Sequence, residues 1–159
     1  MKIAIGCDHG GYELKEKIKE FLSKELYIEF QDFGTYNKNR CDYPDYAFLV
    51  AQAVATKKCD FGIMIDGAGI GSCMMANKIP GVLAACANEV YTARNSRQHN
   101  GANLLTLGSM VIGEGVAKEI VKTFISTKFE GDRNKKRVQS ILDIEKRILQ
   151  NRGWFHANG

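Results

Sequence analysis

The chain has 159 residues, of which 45% are hydrophobic and 25% are charged, an ordinary composition for a soluble globular protein of one domain. Its 22 Lys and Arg residues against 18 Asp and Glu residues give a net charge of +4, which is too small to favour a nucleic-acid-binding function. No apolar run approaches the roughly 20 residues that span a bilayer, so we also expect no membrane association.

Cysteine usage favours a reducing compartment. The five cysteines are odd in number and show no CxxC spacing, and nothing at the start of the chain resembles a signal peptide. We therefore expect a cytoplasmic protein with free thiols. The cysteines are Cys7, Cys41, Cys59, Cys73 and Cys86.

Apolar runs typical of strands alternate along the chain with segments of helical periodicity. The predicted strands are Lys2–Gly6, Ile28–Phe33, Phe61–Ile65, Val82–Cys86 and Asn103–Leu107. The predicted helices are Tyr12–Lys24, Tyr46–Ala55, Gly71–Lys78, Glu89–Gln98, Val116–Thr127 and Asn134–Gln150. This alternation predicts an α/β fold, a Rossmann-like α/β/α sandwich with a five-stranded parallel sheet. We assign residues 1–150 to a single domain and residues 151–159 to a short C-terminal tail.

The segment Gly62–Gly71 is an apolar strand that runs into a glycine-dense loop, with Asp66 at the junction. Open α/β sheets bind their ligands at the carboxyl ends of the strands, so this segment predicts the floor of a binding site. Its GxGxG spacing differs from the dinucleotide fingerprint, and the lysine of a Walker motif is absent. These differences disfavour NAD and ATP. Two interpretations of the segment remain: a backbone cradle that binds a phosphate or a polyol, and a tight turn that needs glycine for steric reasons alone.

A second candidate segment, Gly6–Gly11, also follows a predicted strand. Asp8 and His9 lie in it, and they suit contacts to sugar hydroxyls and to an anion. The alternative is that Asp8 caps the following helix and that His9 is only exposed.

Two further polar segments contain candidate functional side chains. His99, in a predicted loop, has a side chain suited to proton transfer near neutral pH, although a lone histidine is commonly a surface residue. Arg133 and Arg137 are four residues apart, so on a helix they share a face that suits phosphate or is simply solvated. The three widely spaced histidines show no metal-ligand pattern, and we predict no metal site.

Six motifs, taken together and in this order, resemble the family of ribose-5-phosphate isomerase B and galactose-6-phosphate isomerase. They are Asp8-His9-Gly10-Gly11, Asp42-Tyr43-Pro44, Gly67-x-Gly69-x-Gly71, Ala76-Asn77-Lys78, Arg97-x-His99-Asn100 and Gly131-x-Arg133-x-x-x-Arg137. The resemblance implies a Rossmann-like isomerase that interconverts aldose and ketose phosphates through an enediolate, without metal or nucleotide cofactor. It also implies dimers or tetramers whose active sites are shared between subunits.

The resemblance assigns the reacting end of the substrate to two segments. His99 resembles the residue that opens the furanose ring, and Asn100 resembles one that helps to stabilise the enediolate. The backbone of Gly67, Gly69 and Gly71 resembles the cradle around the reacting carbonyl.

The rest of the substrate is assigned to five side chains. Asp8 and Tyr43 are similar to residues that bind sugar hydroxyls. His9, Arg133 and Arg137 resemble a clamp for the phosphate.

This chain departs from the family pattern at several positions. Asp66 stands where the ribose-5-phosphate isomerases commonly have the cysteine base, and Ala68 stands where they commonly have threonine or serine. Met110 replaces an arginine that usually joins the anion site from the neighbouring subunit. Some members have a glutamate at the position of Ser72.

Asp66 decides how the function is interpreted. A carboxylate that is suitably placed and enclosed can abstract a proton next to a carbonyl, so we predict that Asp66 replaces the cysteine as base. The predicted reaction is the interconversion of ribose 5-phosphate and ribulose 5-phosphate. One alternative is an isomerase of a tetrose or hexose phosphate, such as a galactose-6-phosphate isomerase-like subunit, in which Asp66 binds a hydroxyl. Another is a catalytically weak sugar-phosphate-binding subunit.

Overall fold

The structure is a computed structural model that describes residues 1–150. Its centre is a sheet of five strands that all run parallel, in the order β2-β1-β3-β5-β4. The strands are β1 (Lys2–Cys7), β2 (Glu29–Asp32), β3 (Phe61–Asp66), β4 (Ala84–Cys86) and β5 (Leu104–Gly108).

Helices cover both faces of this sheet. They are α1 (Tyr12–Lys24), α2 (Tyr43–Ala55), α3 (Ile70–Ala76), α4 (Val90–Gln98), α5 (Glu114–Ser126) and α6 (Asp132–Leu149). One core cluster joins α1, α4 and α5 to the sheet, and a second joins α2 and α3 to the opposite face. Neighbours along β1 alternate between the two cores, as a pleated strand requires: Ile3 and Ile5 lie in the first, and Ala4 lies in the second. The predicted α/β/α sandwich is confirmed.

Two elements differ from the sequence prediction in ways that affect the site. Helix α2 begins at Tyr43 rather than Tyr46, because Pro44 occupies its first turn, where a missing N–H costs nothing. Strand β4 begins at Ala84 rather than Val82, because the Val82 N–H donates to the Ile79 carbonyl 3.1 Å away and Val82 therefore lies in a turn. The predicted tail, residues 151–159, lies outside the described residues. No helix within residues 1–150 has the length and apolar character needed to cross a bilayer.

The topology places a crevice beside the end of β1. Strand β1 pairs with β2 on one side and β3 on the other, so the connections that leave β1 and β3 diverge at their carboxyl ends. Ligands of open α/β sheets bind at such a switch point. Asp8 follows β1 directly, and Asp66 is the last residue of β3.

Candidate active site

The Asp66 carboxylate lies inside the turn between β3 and α3 and is only 5% exposed. Its Oδ1 accepts hydrogen bonds from the N–H groups of Ala68, at 2.9 Å, and Gly69. Its Oδ2 accepts the N–H of Ser72 at 2.9 Å. A carboxylate has about four lone-pair positions, so Oδ2 retains one that can accept a further proton.

The glycine loop (Gly67–Gly71) needs glycine at two positions for identifiable reasons. Gly69 has φ +81°, in the left-handed region that other residues adopt at a cost. A Cβ on Gly71 would lie 2.6 Å from the Cζ atom of Tyr43. Tyr43, in the first turn of α2, therefore lies directly on the loop.

Asp8 lies on the neighbouring turn and is 9% exposed. Its N–H donates to the Ile65 carbonyl at 3.1 Å, which ties the ends of β1 and β3 together. Its Oδ1 accepts the N–H of Gly11, the residue directly before α1, at 3.0 Å. Burial raises the pKa of Asp8 above its ordinary value, and the Gly11 N–H opposes part of that rise. Asp8 thus stabilises the turn and also lies at the crevice.

His9 is exposed next to Asp8 and contacts a single neighbouring residue through its Nδ1 atom. Nδ1 lies 3.1 Å from the Cys41 carbonyl oxygen and 3.3 Å from the Cys41 nitrogen. The ring is thereby oriented by the loop that precedes α2, and its Nε2 atom is directed away from that contact.

The remaining predicted residues lie at the opposite edge of the sheet. His99 follows α4, which runs from the carboxyl end of β4 back to the amino end of β5. Its Nδ1 lies 3.0 Å from the Asn95 amide nitrogen, and its Nε2 lies 3.8 Å from a Glu130 carboxylate oxygen. Because an amide nitrogen only donates, Nδ1 accepts, and the proton of the neutral ring is assigned to Nε2.

Asn100, Arg133 and Arg137 accompany His99 at this edge. Asn100 lines a cavity of about 290 Å³ together with Ile141 of α6. Both arginines are exposed on α6 and four residues apart, so they project from the same side of that helix, as predicted.

The site residues therefore form two groups within one protomer. The carboxyl-edge group comprises Asp8, His9, Tyr43, Asp66 and the glycine loop, and the amino-edge group comprises His99, Asn100, Arg133 and Arg137. The six residues of β3 extend about 20 Å, so the length of a strand separates the two groups. One protomer places the two groups at opposite edges of the sheet and does not bring them together.

The thiols near the carboxyl edge are not poised as bases. Burial raises the pKa of Cys7 to about 12. Burial likewise raises the pKa of Cys73 and of Cys86, although the Thr106 hydroxyl opposes the rise for both. The Cys86 Sγ contacts the Ala68 carbonyl at 3.6 Å, beneath the glycine loop. These thiols are therefore protonated near neutral pH.

Comparison with known proteins identifies the family. The sequence profile of the ribose/galactose isomerase family matches residues 3–141. The chain belongs to this family. Among its relatives, ribose-5-phosphate isomerase B of Escherichia coli is 46% identical over 146 residues, which cover 92% of this chain and 97% of the relative.

Solved structures from the family superpose on nearly the whole chain. Ribose-5-phosphate isomerase B of Clostridium thermocellum has a TM-score of 0.90 and 48% identity, and the match covers 93% of this chain and 99% of that one. The Mycoplasma genitalium enzyme, solved with bound ribulose 5-phosphate, has a TM-score of 0.87 and 42% identity, with coverage of 91% and 96%. The predicted family resemblance is confirmed.

Three polar residues that stabilise the turns of the candidate site were not predicted from the sequence. Asn88, Thr106 and Ser109 donate hydrogen bonds to carbonyls of the site turns. The Ser109 hydroxyl contacts the Gly10 carbonyl at 2.9 Å and the Asp66 carbonyl at 3.1 Å, so it bridges the turns after β1 and β3. One signal in the sequence could have identified Thr106: it is the single hydroxyl-bearing residue in the otherwise apolar strand β5.

Met110 contacts the glycine loop from the turn after β5. A Cβ on Gly67 would lie 3.3 Å from the Met110 sulfur, and the Met110 side chain is 87% exposed. Met110 therefore lies at the mouth of the carboxyl-edge group. Within residues 1–150, no group of three or more His, Cys, Asp or Glu residues is arranged to hold a metal ion.

Proposed function

We propose that this chain interconverts ribose 5-phosphate and ribulose 5-phosphate through an enediolate, with Asp66 as the base. Family membership supports an aldose–ketose isomerase, and the bound ribulose 5-phosphate of the Mycoplasma genitalium relative supports a pentose phosphate as substrate. The observation that carries the proposal is the position of Asp66, at the end of β3 with one lone pair of Oδ2 unoccupied.

The two groups of side chains divide the reaction between them. His99 carries its proton on Nε2, so it donates to the ring oxygen as the furanose opens. Asp66 then takes the C2 proton of the aldehyde form, which leaves an enediolate. The hydroxyl proton of O2 passes to O1, and Asp66 returns its proton to C1 as the C2 carbonyl forms. The N–H groups of Ile70 and Gly71, in the first turn of α3, have no intrahelical acceptor and are donors for the oxyanion, with Asn100.

A complete site on this proposal requires two copies of the chain. Because the two groups lie at opposite edges of one protomer, the amino-edge group of one copy must meet the carboxyl-edge group of the other. The phosphate is then bound by His9 from one copy and by Arg133 and Arg137 from its partner. Arginine suits this role because one guanidinium group can donate two parallel hydrogen bonds to phosphate oxygens. We propose a homodimer, or a tetramer built from such dimers.

One observation favours a second candidate function. Asp66 accepts three backbone N–H groups, and an aspartate that only anchors the glycine loop would do the same. In that case the chain binds a sugar phosphate but isomerises it weakly, or it uses Asp66 to bind a hydroxyl of a different sugar phosphate.

Turnover of ribose 5-phosphate by the wild type and three variants separates these functions. We expect Asp66→Asn to lower kcat by about 10²- to 10⁴-fold, because an amide cannot take the C2 proton. We expect Asp66→Cys to retain more activity than Asp66→Asn, because a thiolate is also a base. Asp45→Asn, which changes an exposed aspartate of α2, is the matched control and should leave kcat unchanged.

The isotope at C2 gives a second measurement. Ribose 5-phosphate with deuterium at C2 should react more slowly than the protium form in the wild type, and it should lose its label to water. Equal turnover by wild type and Asp66→Asn would contradict the base role. No turnover of any four-, five- or six-carbon aldose phosphate would favour the binding subunit.

A further inference from the structure

In the glycine loop, the carbonyls of Ala68 and Gly69 both accept hydrogen bonds from side chains outside the loop. The Asn88 Nδ2 atom donates to the Ala68 carbonyl at 3.2 Å, and the Thr106 hydroxyl donates to the Gly69 carbonyl at 2.6 Å. The N–H groups of the same two residues point the other way, to the Asp66 Oδ1 atom. The N–H and the carbonyl of Ala68 and of Gly69 therefore each have a hydrogen-bond partner.

We infer that Asn88 and Thr106 are positioning residues that orient two successive peptide groups of the glycine loop. Asn88 orients the Ala68–Gly69 peptide, whose N–H binds the Asp66 carboxylate, and Thr106 orients the Gly69–Ile70 peptide, whose N–H is the proposed donor to the oxyanion. This inference rests on the proposed function, because it assigns the two side chains to the base and to the oxyanion donor of that reaction. Neither side chain needs to contact the substrate for this role.

The loop requires such an orientation because its backbone is permissive. Gly69 has φ +81°, and a glycine reorients its flanking peptide groups at little steric cost. If the Ala68–Gly69 peptide rotated, its carbonyl would face the Asp66 carboxylate in place of the Gly69 N–H. If the Gly69–Ile70 peptide rotated, its carbonyl would replace the Ile70 N–H as the group that faces the oxyanion. A hydrogen-bond donor to each carbonyl opposes these rotations.

Thr106 is suited to this role by burial. It is 0% exposed and lies between Leu105 and Leu107, so its hydroxyl has no access to water. A buried hydroxyl without an acceptor is costly, which strengthens its preference for the Gly69 carbonyl.

Asn88 is itself fixed in orientation. Its Oδ1 accepts the N–H of Gly108 at 2.8 Å, while its Nδ2 donates to Ala68. The amide therefore joins the end of β5 to the glycine loop, and its two ends cannot exchange without losing both bonds.

Thr106→Val tests the inference, because valine has nearly the shape of threonine but lacks the hydroxyl. We expect kcat for ribose 5-phosphate to fall about tenfold with KM within about twofold, since small displacements of a reacting group are costly. Thr106→Ser restores the hydroxyl and should recover kcat, and Asn88→Ala should resemble Thr106→Val. Thr56→Val is the matched control, because it removes an exposed hydroxyl bond at the end of α2.

A double-mutant cycle shows whether the effect of Asn88 acts through Asp66. In the Asp66→Asn background, Asn88→Ala should cause no further loss of kcat, because the base is already absent. Wild-type kcat in Asn88→Ala or in Thr106→Val, or an equal loss from Asn88→Ala in both backgrounds, would overturn the inference.

Amide hydrogen exchange decides the matter independently of activity. We expect exchange at Gly69 to be about tenfold faster in Asn88→Ala, with exchange at Gly62 unchanged. If the wild type fails to turn over any sugar phosphate, the proposed function fails while this measurement still tests the loop. Unchanged exchange at Gly69 would overturn the positioning role of Asn88.

Discussion

Asp66 has two tasks that a cysteine at the same position would not combine. Its carboxylate accepts three N–H groups of the loop and of α3, whereas a thiolate has one sulfur atom and is a poorer acceptor. On the proposed function, the same carboxylate also takes a proton through Oδ2. The loop geometry and the base are therefore linked in one side chain, and substitutions of Asp66 will change both.

Gly11 is a residue at which the site turn tolerates no side chain. A Cβ there would lie 2.3 Å from the carbonyl oxygen of Ile65, a backbone atom of β3 that cannot move freely. We expect Gly11→Ala to lower the free energy of unfolding by about 1–3 kcal/mol or more, measured by urea denaturation.

Gly115 provides the matched control for that measurement. It lies in the first turn of α5, and a Cβ there would meet nothing within 4 Å. Gly115→Ala should leave stability unchanged or raise it by up to about 1 kcal/mol. Similar destabilisation by both substitutions would show that the close approach of Gly11 to β3 does not matter.

At the scale of elements, a buried ion pair joins α1 to β2. Lys15 is 0% exposed, and its Nζ lies 2.8 Å from each carboxylate oxygen of Asp32 and 2.6 Å from the Thr35 carbonyl. The rings of Tyr12 and Tyr36 lie 5.6 and 5.2 Å from the same nitrogen. The contact fixes α1 against the loop that leads from β2 towards His9 and Tyr43.

The pKa of Asp32 makes this contact sensitive to acid. Burial alone would raise that pKa, but hydrogen bonds from Lys15 and Lys19 outweigh it and lower the pKa below its ordinary value. The carboxylate therefore stabilises the fold fully above the unfolded pKa of about 4, and this stabilisation is lost as the pH falls through the lower folded pKa.

Asp32→Asn should show this dependence. At pH 7 we expect it to lower the free energy of unfolding by about 3–5 kcal/mol, because it leaves the buried Lys15 with only the longer ion pair to Glu16, at 3.5 Å. The difference between wild type and variant should shrink as the pH falls below about 4. Glu20→Gln, which breaks an exposed pair with Lys24, should change stability little at either pH. A difference that stayed constant with pH would contradict the linkage.

At the scale of the whole molecule, α6 carries an apolar stripe that remains partly exposed among the described residues. Ile141, Ile144 and Ile148 repeat at helical spacing and are 50%, 39% and 51% exposed. Arg133 and Arg137 lie on the same helix. A second copy packed on this stripe would bring the arginines to another subunit, as the proposed dimer requires.

Subunit mixing tests the shared site. Asp66→Asn removes a carboxyl-edge residue, and His99→Ala removes an amino-edge residue, so each variant alone should be inactive. Random pairing of the two should yield heterodimers in which one site is intact, and about a quarter of wild-type activity should return. Each variant mixed with itself is the control. No recovery, with heterodimers verified by mass spectrometry, would contradict a site shared between subunits.

The sequence by itself determined the fold class and the positions of most elements, because strand and helix periodicities are local properties of the chain. It also predicted Asp8, His9 and Asp66 at strand ends, since residues that follow parallel strands meet at one edge. It missed the buried Lys15, because a charged residue on a helical face is usually solvated, and it placed the start of α2 three residues late.

Only the tertiary structure decided which polar atoms meet. The partners of Asp66, the donors beneath Ala68 and Gly69, and the separation of His99 from the glycine loop all depend on contacts between segments distant in the chain. The physical reason is that a buried polar group must find a partner wherever packing allows. Packing is set by the whole fold and not by the residues on either side.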